Sequence, residues 1–103
     1  MNSSFDVTPL EDPRRYRLSG ELGMATADRL SEALQSDCAG PGDIILDLSG
    51  LTFLDSTGLQ VIISTCGTLG NKGSLVLRNP NEDVAHVLNV SGVDRLKGLR
   101  IER

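Results

Sequence analysis

The sequence predicts an α/β fold: a single domain with a four- or five-stranded mixed sheet and three main helices largely on one face. Two observations carry this. β-Branched or alternating apolar runs recur at residues 5–10, 16–20, 43–48 and 74–78, as strands require. From residue 26 onward they are separated by segments whose apolar residues return every three or four positions, the spacing of an amphipathic helix.

Composition sets the frame. The 103 residues fit one domain, large enough to bury roughly two-thirds of the unfolded surface without staples. Aromatics are 3% and tryptophan is absent, so the core is expected to be aliphatic. A net charge of −4 and a pI near 4.8 leave no basic stripe for nucleic acid or an anionic membrane, and favour a protein or cationic partner. No apolar run approaches the roughly 20 residues of a membrane span, so no membrane insertion is expected. Residues 1–6 carry neither a basic region nor an apolar segment, so no signal peptide is expected and the cytoplasm is the expected compartment. Cys38 and Cys66 lack metal-ligand spacing and read as reduced thiols, Cys66 as a core residue. No metal or cofactor is expected.

Taken in order, residues 5–10 alternate and carry Pro9, which marks an edge strand. After a charged turn at 11–14, residues 16–20 alternate again and are expected to close a hairpin. Residues 21–24 read as a loop leading to Thr26, an N-cap for a helix from Ala27 to Gln35. Ala27, Leu30, Ala33 and Leu34 form its inward face. Ala39-Gly40-Pro41-Gly42 stops it. Residues 44–48, apolar except for Asp47, read as a covered central strand. Residues 49–54 are too long for a tight turn and too apolar for a free loop, and are expected to pack under the sheet's edge.

From Thr57 to Leu69 the positions Leu59, Ile62, Ile63, Cys66 and Leu69 form a helical stripe, ended by Gly67 and Gly70. A strand at 74–78 leads to Asn79, read as an N-cap with Pro80 in the first helical position and Glu82 three residues on. Val84, Val87, Leu88 and Ser91 are its expected inward face, and Gly92 its end. Residues 99–101 offer a last short strand. Right-handed crossovers put successive helices on one face while the sheet order advances in one direction.

The chemistry-bearing residues exclude more than they offer. A serine nucleophile needs a base, and the only histidine, His86, sits on the third helix with no acidic orienter beside it. The Gly-x-Ser-x-Gly elbow is broken by Leu54, and neither phosphate-loop nor dinucleotide glycine fingerprint occurs. No catalytic residue is assigned. What remains is Leu51-Thr52-Phe53-Leu54-Asp55-Ser56-Thr57-Gly58-Leu59, a polar knot between a strand and a helix. Asp55, Ser56 and Thr57 are each able to cap that helix. A hydroxyl there is also placed for a phosphoryl group, because free N–H groups and the helix dipole favour an anion.

Gly20-Glu21-Leu22 ahead of an Ala/Thr-rich helix, followed by the run from Leu46 to Leu59, resembles a STAS domain of the anti-sigma-factor antagonist type. Val90-Ser91-Gly92-Val93 resembles that family's last helix end, so the likeness spans nearly the whole chain. The resemblance implies a bacterial, cytoplasmic regulator of transcription. It would bind an anti-sigma factor with serine kinase activity and so release a sigma factor. Phosphorylation of Ser56, with Thr57 the alternative acceptor, would switch binding off, and a serine phosphatase would restore it. ATP and magnesium would belong to the partner. The implied partner-binding residues are Met24, Ser49, Thr52, Phe53, Leu54, Asp55, Ser56, Thr57, Gly58 and Gln60. One departure stands out: family members often read Gly-Glu-Leu-Asp, and here Gly23 follows Leu22. A second reading keeps the fold and makes the chain a non-phosphorylated STAS subunit of a larger regulatory or transport assembly, in which Ser56 and Thr57 only cap a helix.

Overall fold

The computed structural model describes residues 4–103; the signal-peptide reading falls partly on Met1 to Ser3, outside them. Strands β1 (Phe5–Pro9) and β2 (Arg15–Leu22) form the expected hairpin. Helix α1 (Ala27–Ala39), strand β3 (Ile44–Leu54), helix α2 (Ser56–Leu69), strand β4 (Leu75–Arg78), helix α3 (Glu82–Val90) and strand β5 (Leu99–Glu102) follow. Single 3₁₀ turns at Gly70–Lys72 and Val93–Arg95 precede β4 and β5. The sheet order is β1-β2-β3-β4-β5. Only β1 runs antiparallel to its neighbour.

A sheet order that advances one strand at a time, with right-handed crossovers, puts all three helices on one face. Leu30 and Leu34 of α1, Ile62 and Leu69 of α2, and Val84 and Leu88 of α3 join inward residues of all five strands in one core that is aliphatic apart from Phe5 of β1. Successive strand residues point to opposite faces, and the far face is correspondingly ionic. Arg17 pairs with Asp47 at 3.6 Å there, and Arg78 with Glu102 at 2.8 Å. Val76 is fully buried on that face, in register with Ile45 and Arg100.

Several sequence expectations are corrected. Residues 49–54 are not a packed irregular segment but the second half of β3, paired to β2 from Ser19↔Gly50 to Leu22↔Leu54. Two register shifts in that pairing break the alternation of a regular strand, and leave Leu48, Leu51 and Leu54 buried at intervals of three. Glu21 and Leu22, expected in a loop, belong to β2.

Helix α1 runs on to Ala39 because its last carbonyls find donors. Lys72 Nζ donates to the carbonyls of Cys38 and Ala39 at 3.0 and 3.4 Å, and Arg14 braces the turn that follows by donating to those of Gly40 and Gly42 at 3.3 and 2.7 Å. Such partners satisfy groups that a helix end leaves unpaired. The cap of α3 is Asn81, not Asn79: its side chain accepts from Val84 N at 2.8 Å and donates to Leu51 O at 3.0 Å. Asn79 is in the left-handed region, with φ 57, and Ser91 lies past the helix, exposed.

On α2, Gly67 lies inside the helix and Gly70 ends it. Ile63 of the expected stripe is 40% exposed, while Thr65 takes a buried place.

Candidate docking surface at the start of α2

Strand β3 and helix α2 meet at one residue, Asp55. Its Oδ1 accepts from Thr57 N at 2.9 Å and Gly58 N at 3.2 Å. Of the three residues suited to capping, Asp55 therefore does it, satisfying two amides of the first turn. Ser56 is the first helical residue and is exposed. Its hydroxyl enters no hydrogen bond with the described residues and is left facing solvent at the positive end of the helix dipole.

The helix start is pinned from beneath. Asp55 N donates to Leu22 O at 3.2 Å, tying it to the end of β2. Gly58 is buried against the same residue: a Cβ there would lie 2.8 Å from Leu22 O and 2.7 Å from Leu54 Cδ1. Any side chain would lift the first turn off the sheet, so glycine is required by close approach.

Beside Ser56 the loop from β2 to α1 forms the wall of a cleft of about 250 Å³, lined by Glu21, Met24, Thr26, Phe53 and Asp55 together with Gly23. Thr26 is 1% exposed and does not cap α1 with its side chain. Its hydroxyl instead donates to Glu21 O at 2.7 Å and accepts from Gly23 N at 3.0 Å, which holds the loop in shape. Met24 and Phe53, at 83% and 48% exposure, stand on the rim. Large apolar side chains this exposed, grouped beside a polar centre, are the composition of a protein contact.

The ten residues inferred from sequence do not all reach this surface. Met24, Phe53, Asp55, Ser56, Thr57 and Gln60 gather around the helix start, all exposed or half-buried. Leu54 and Gly58 are buried and act from below, as support. Thr52 is exposed, with its hydroxyl donating to Gly20 O at 3.1 Å. Ser49 lies five strand residues before Leu54, roughly 16 Å away at ~3.3 Å per residue, with its amide bonded to Asp47. Glu21, Ala25 and Thr26 also line the cleft, though none was among the residues inferred from sequence, and no local sequence signal marks the contacts that place them there.

The sequence matches the STAS domain over residues 5–102. The chain belongs to the STAS domain family. This STAS domain is 29% identical to the anti-sigma-B factor antagonist of Bacillus subtilis (strain 168) over 94 residues, 90% of this chain and 86% of that protein. It is 35% identical to the anti-sigma F factor antagonist of Paenibacillus polymyxa over 86 residues, 78% and 71% of the two. Its structure is similar to that of an anti-sigma factor antagonist from Mycobacterium paratuberculosis, with a TM-score of 0.74 at 27% identity, over 94% and 86% of the two chains. The anti-sigma factor antagonist SpoIIAA in its unphosphorylated form shares the fold, with a TM-score of 0.71 at 19% identity, over 95% and 87%.

Proposed function

We propose that this STAS domain is an anti-sigma factor antagonist. It binds an anti-sigma factor with serine kinase activity through the surface around Ser56, freeing the sigma factor held by that partner. Phosphorylation of Ser56 ends the interaction and a serine phosphatase renews it. The chain itself acts by binding rather than catalysis. The observation that carries the reading is the division of labour at the helix start: Asp55 caps, so the exposed Ser56 hydroxyl is spare, with Met24 and Phe53 nearby on the rim. The names of the relatives point the same way.

The electrostatics make a switch. A phosphoryl group adds roughly −1.5 to −2 charges at pH 7. Within the chain the N-terminus of α2 stabilises that charge. A partner packed closely over a neutral hydroxyl meets instead a bulky, strongly hydrated dianion that it would have to desolvate, and is displaced.

The test is a titration against candidate anti-sigma kinases with ATP, read by intact mass and by binding. One phosphate should be added to wild type and none to Ser56→Ala. Ser56→Ala should bind constitutively, while Ser56→Asp should fail to bind. Equal affinity of wild type and Ser56→Asp would refute the switch, and the absence of phosphate with intact binding would favour the non-phosphorylated subunit.

A further inference from the structure

Gly23 lies beside the Asp55 carboxylate, and the absence of its side chain has a geometric effect. A Cβ on Gly23 would stand 2.7 Å from Asp55 Oδ2, 3.2 Å from its Cγ and 3.3 Å from the Phe53 ring. The first contact is shorter than real Cβ atoms show, so any side chain there must displace the carboxylate or be displaced by it. Asp55 is not free to move without loss, because its other oxygen holds the first turn of α2. Gly23 and the two-sided use of Asp55 are thus one arrangement.

Asp55 Oδ2 is the spare half of that carboxylate. Among the described residues it accepts no hydrogen bond, and Asp55 and Gly23 both line the cleft beside Met24 and Phe53. The charged residues of the cleft are Glu21 and Asp55, and no basic side chain lines it. The mouth is apolar, formed by the two exposed side chains of Met24 and Phe53. Two carboxylates, the exposed Glu21 and the half-buried Asp55, beside the apolar Met24 and Phe53 fit a side chain with a methylene stem and a cationic head, which is lysine or arginine.

We infer that Gly23 is a specificity-determining position of the docking surface: by carrying no side chain it opens Asp55 Oδ2 to a basic side chain of the partner protein. The inference rests on the docking surface proposed above and names the partner chemistry it selects. A chain with a side chain at this position would cover the oxygen and offer the partner a different contact. Gly23 acts through Asp55; the contact with the partner is made by Asp55.

The experiment uses the full chain and the anti-sigma kinase that binds wild type in the titration above. Affinity is measured at low and high salt for wild type, Gly23→Ala, Asp55→Asn and the double variant, each checked by its melting curve. Asp55→Asn keeps an oxygen for the cap and removes the charge. It should weaken binding tenfold or more and flatten the salt dependence, since an exposed ion pair is screened by salt. Gly23→Ala should weaken binding similarly, and the double variant should be no weaker than Asp55→Asn alone, because the two changes remove one contact.

Undiminished binding by Asp55→Asn, losses that multiply in the double variant, or an unchanged salt slope would each overturn the inference while leaving the docking surface standing. A wild-type chain that binds no such kinase overturns both. Should Gly23→Ala melt too low to assay, Asp55→Asn and its salt slope decide the matter alone.

Discussion

The carbonyl oxygen of Leu22 lies 2.8 Å from where a Cβ on Gly58 would stand. The end of β2 and the first turn of α2 are therefore in direct backbone contact, and the height of Ser56 above the sheet is set by the lack of one methyl group. This contact, the Asp55 cap and the Thr26-braced loop hold one rigid corner, from which the Ser56 hydroxyl projects.

Gly58→Ala should cost about 1–3 kcal/mol of stability, the usual penalty of overfilling a packed site. Denaturant unfolding should show a lower midpoint with an unchanged slope. The same variant should bind the partner more weakly than its remaining folded fraction explains, because the first turn of α2 is displaced.

Asp55 and Ser56 should separate cleanly in stability measurements. Asp55→Ala removes both acceptor contacts to the first turn and should cost about 1 kcal/mol. Ser56→Ala, at an exposed hydroxyl outside the cap, should stay within about 0.5 kcal/mol of wild type. Equal losses in thermal or denaturant melts would mean that Ser56 shares the cap.

Tyr16 is the only tyrosine, and tryptophan is absent, so the ultraviolet absorbance of ionised phenol reports on one side chain. Its pKa is pushed up to about 12 by burial first, then by its hydrogen bond to Asp37 and the charge of that carboxylate, with Arg14 opposing. The folded chain therefore favours the neutral phenol. Its contribution to stability is complete below the unfolded value of about 10 and is lost as pH rises through the folded value. An alkaline absorbance titration should show the raised midpoint in folded protein and the ordinary one in denaturant. Asp37→Asn should lower the midpoint without restoring it fully, since burial is the larger cause.

By itself the sequence determined the element order, the aliphatic core and the one-directional sheet, because these follow from local periodicity, from turn residues and from the handedness of crossovers. The run from Asp55 to Gly58 was legible as a strand-to-helix junction suited to an anion for the same reason. What only the tertiary structure decided depends on which neighbour reaches a group first. Asp55, Ser56 and Thr57 are chemically interchangeable as caps in one dimension, and the contact with Leu22 selects Asp55 and releases Ser56. The second half of β3 was hidden because its pairing with β2 slips, so its buried leucines fall at intervals of three. Gly23 read as a missing aspartate; in three dimensions it is the space beside the second oxygen of Asp55. Periodicity records which way a side chain points relative to its own backbone. The partner it meets is set by another segment of the chain, and that only packing supplies.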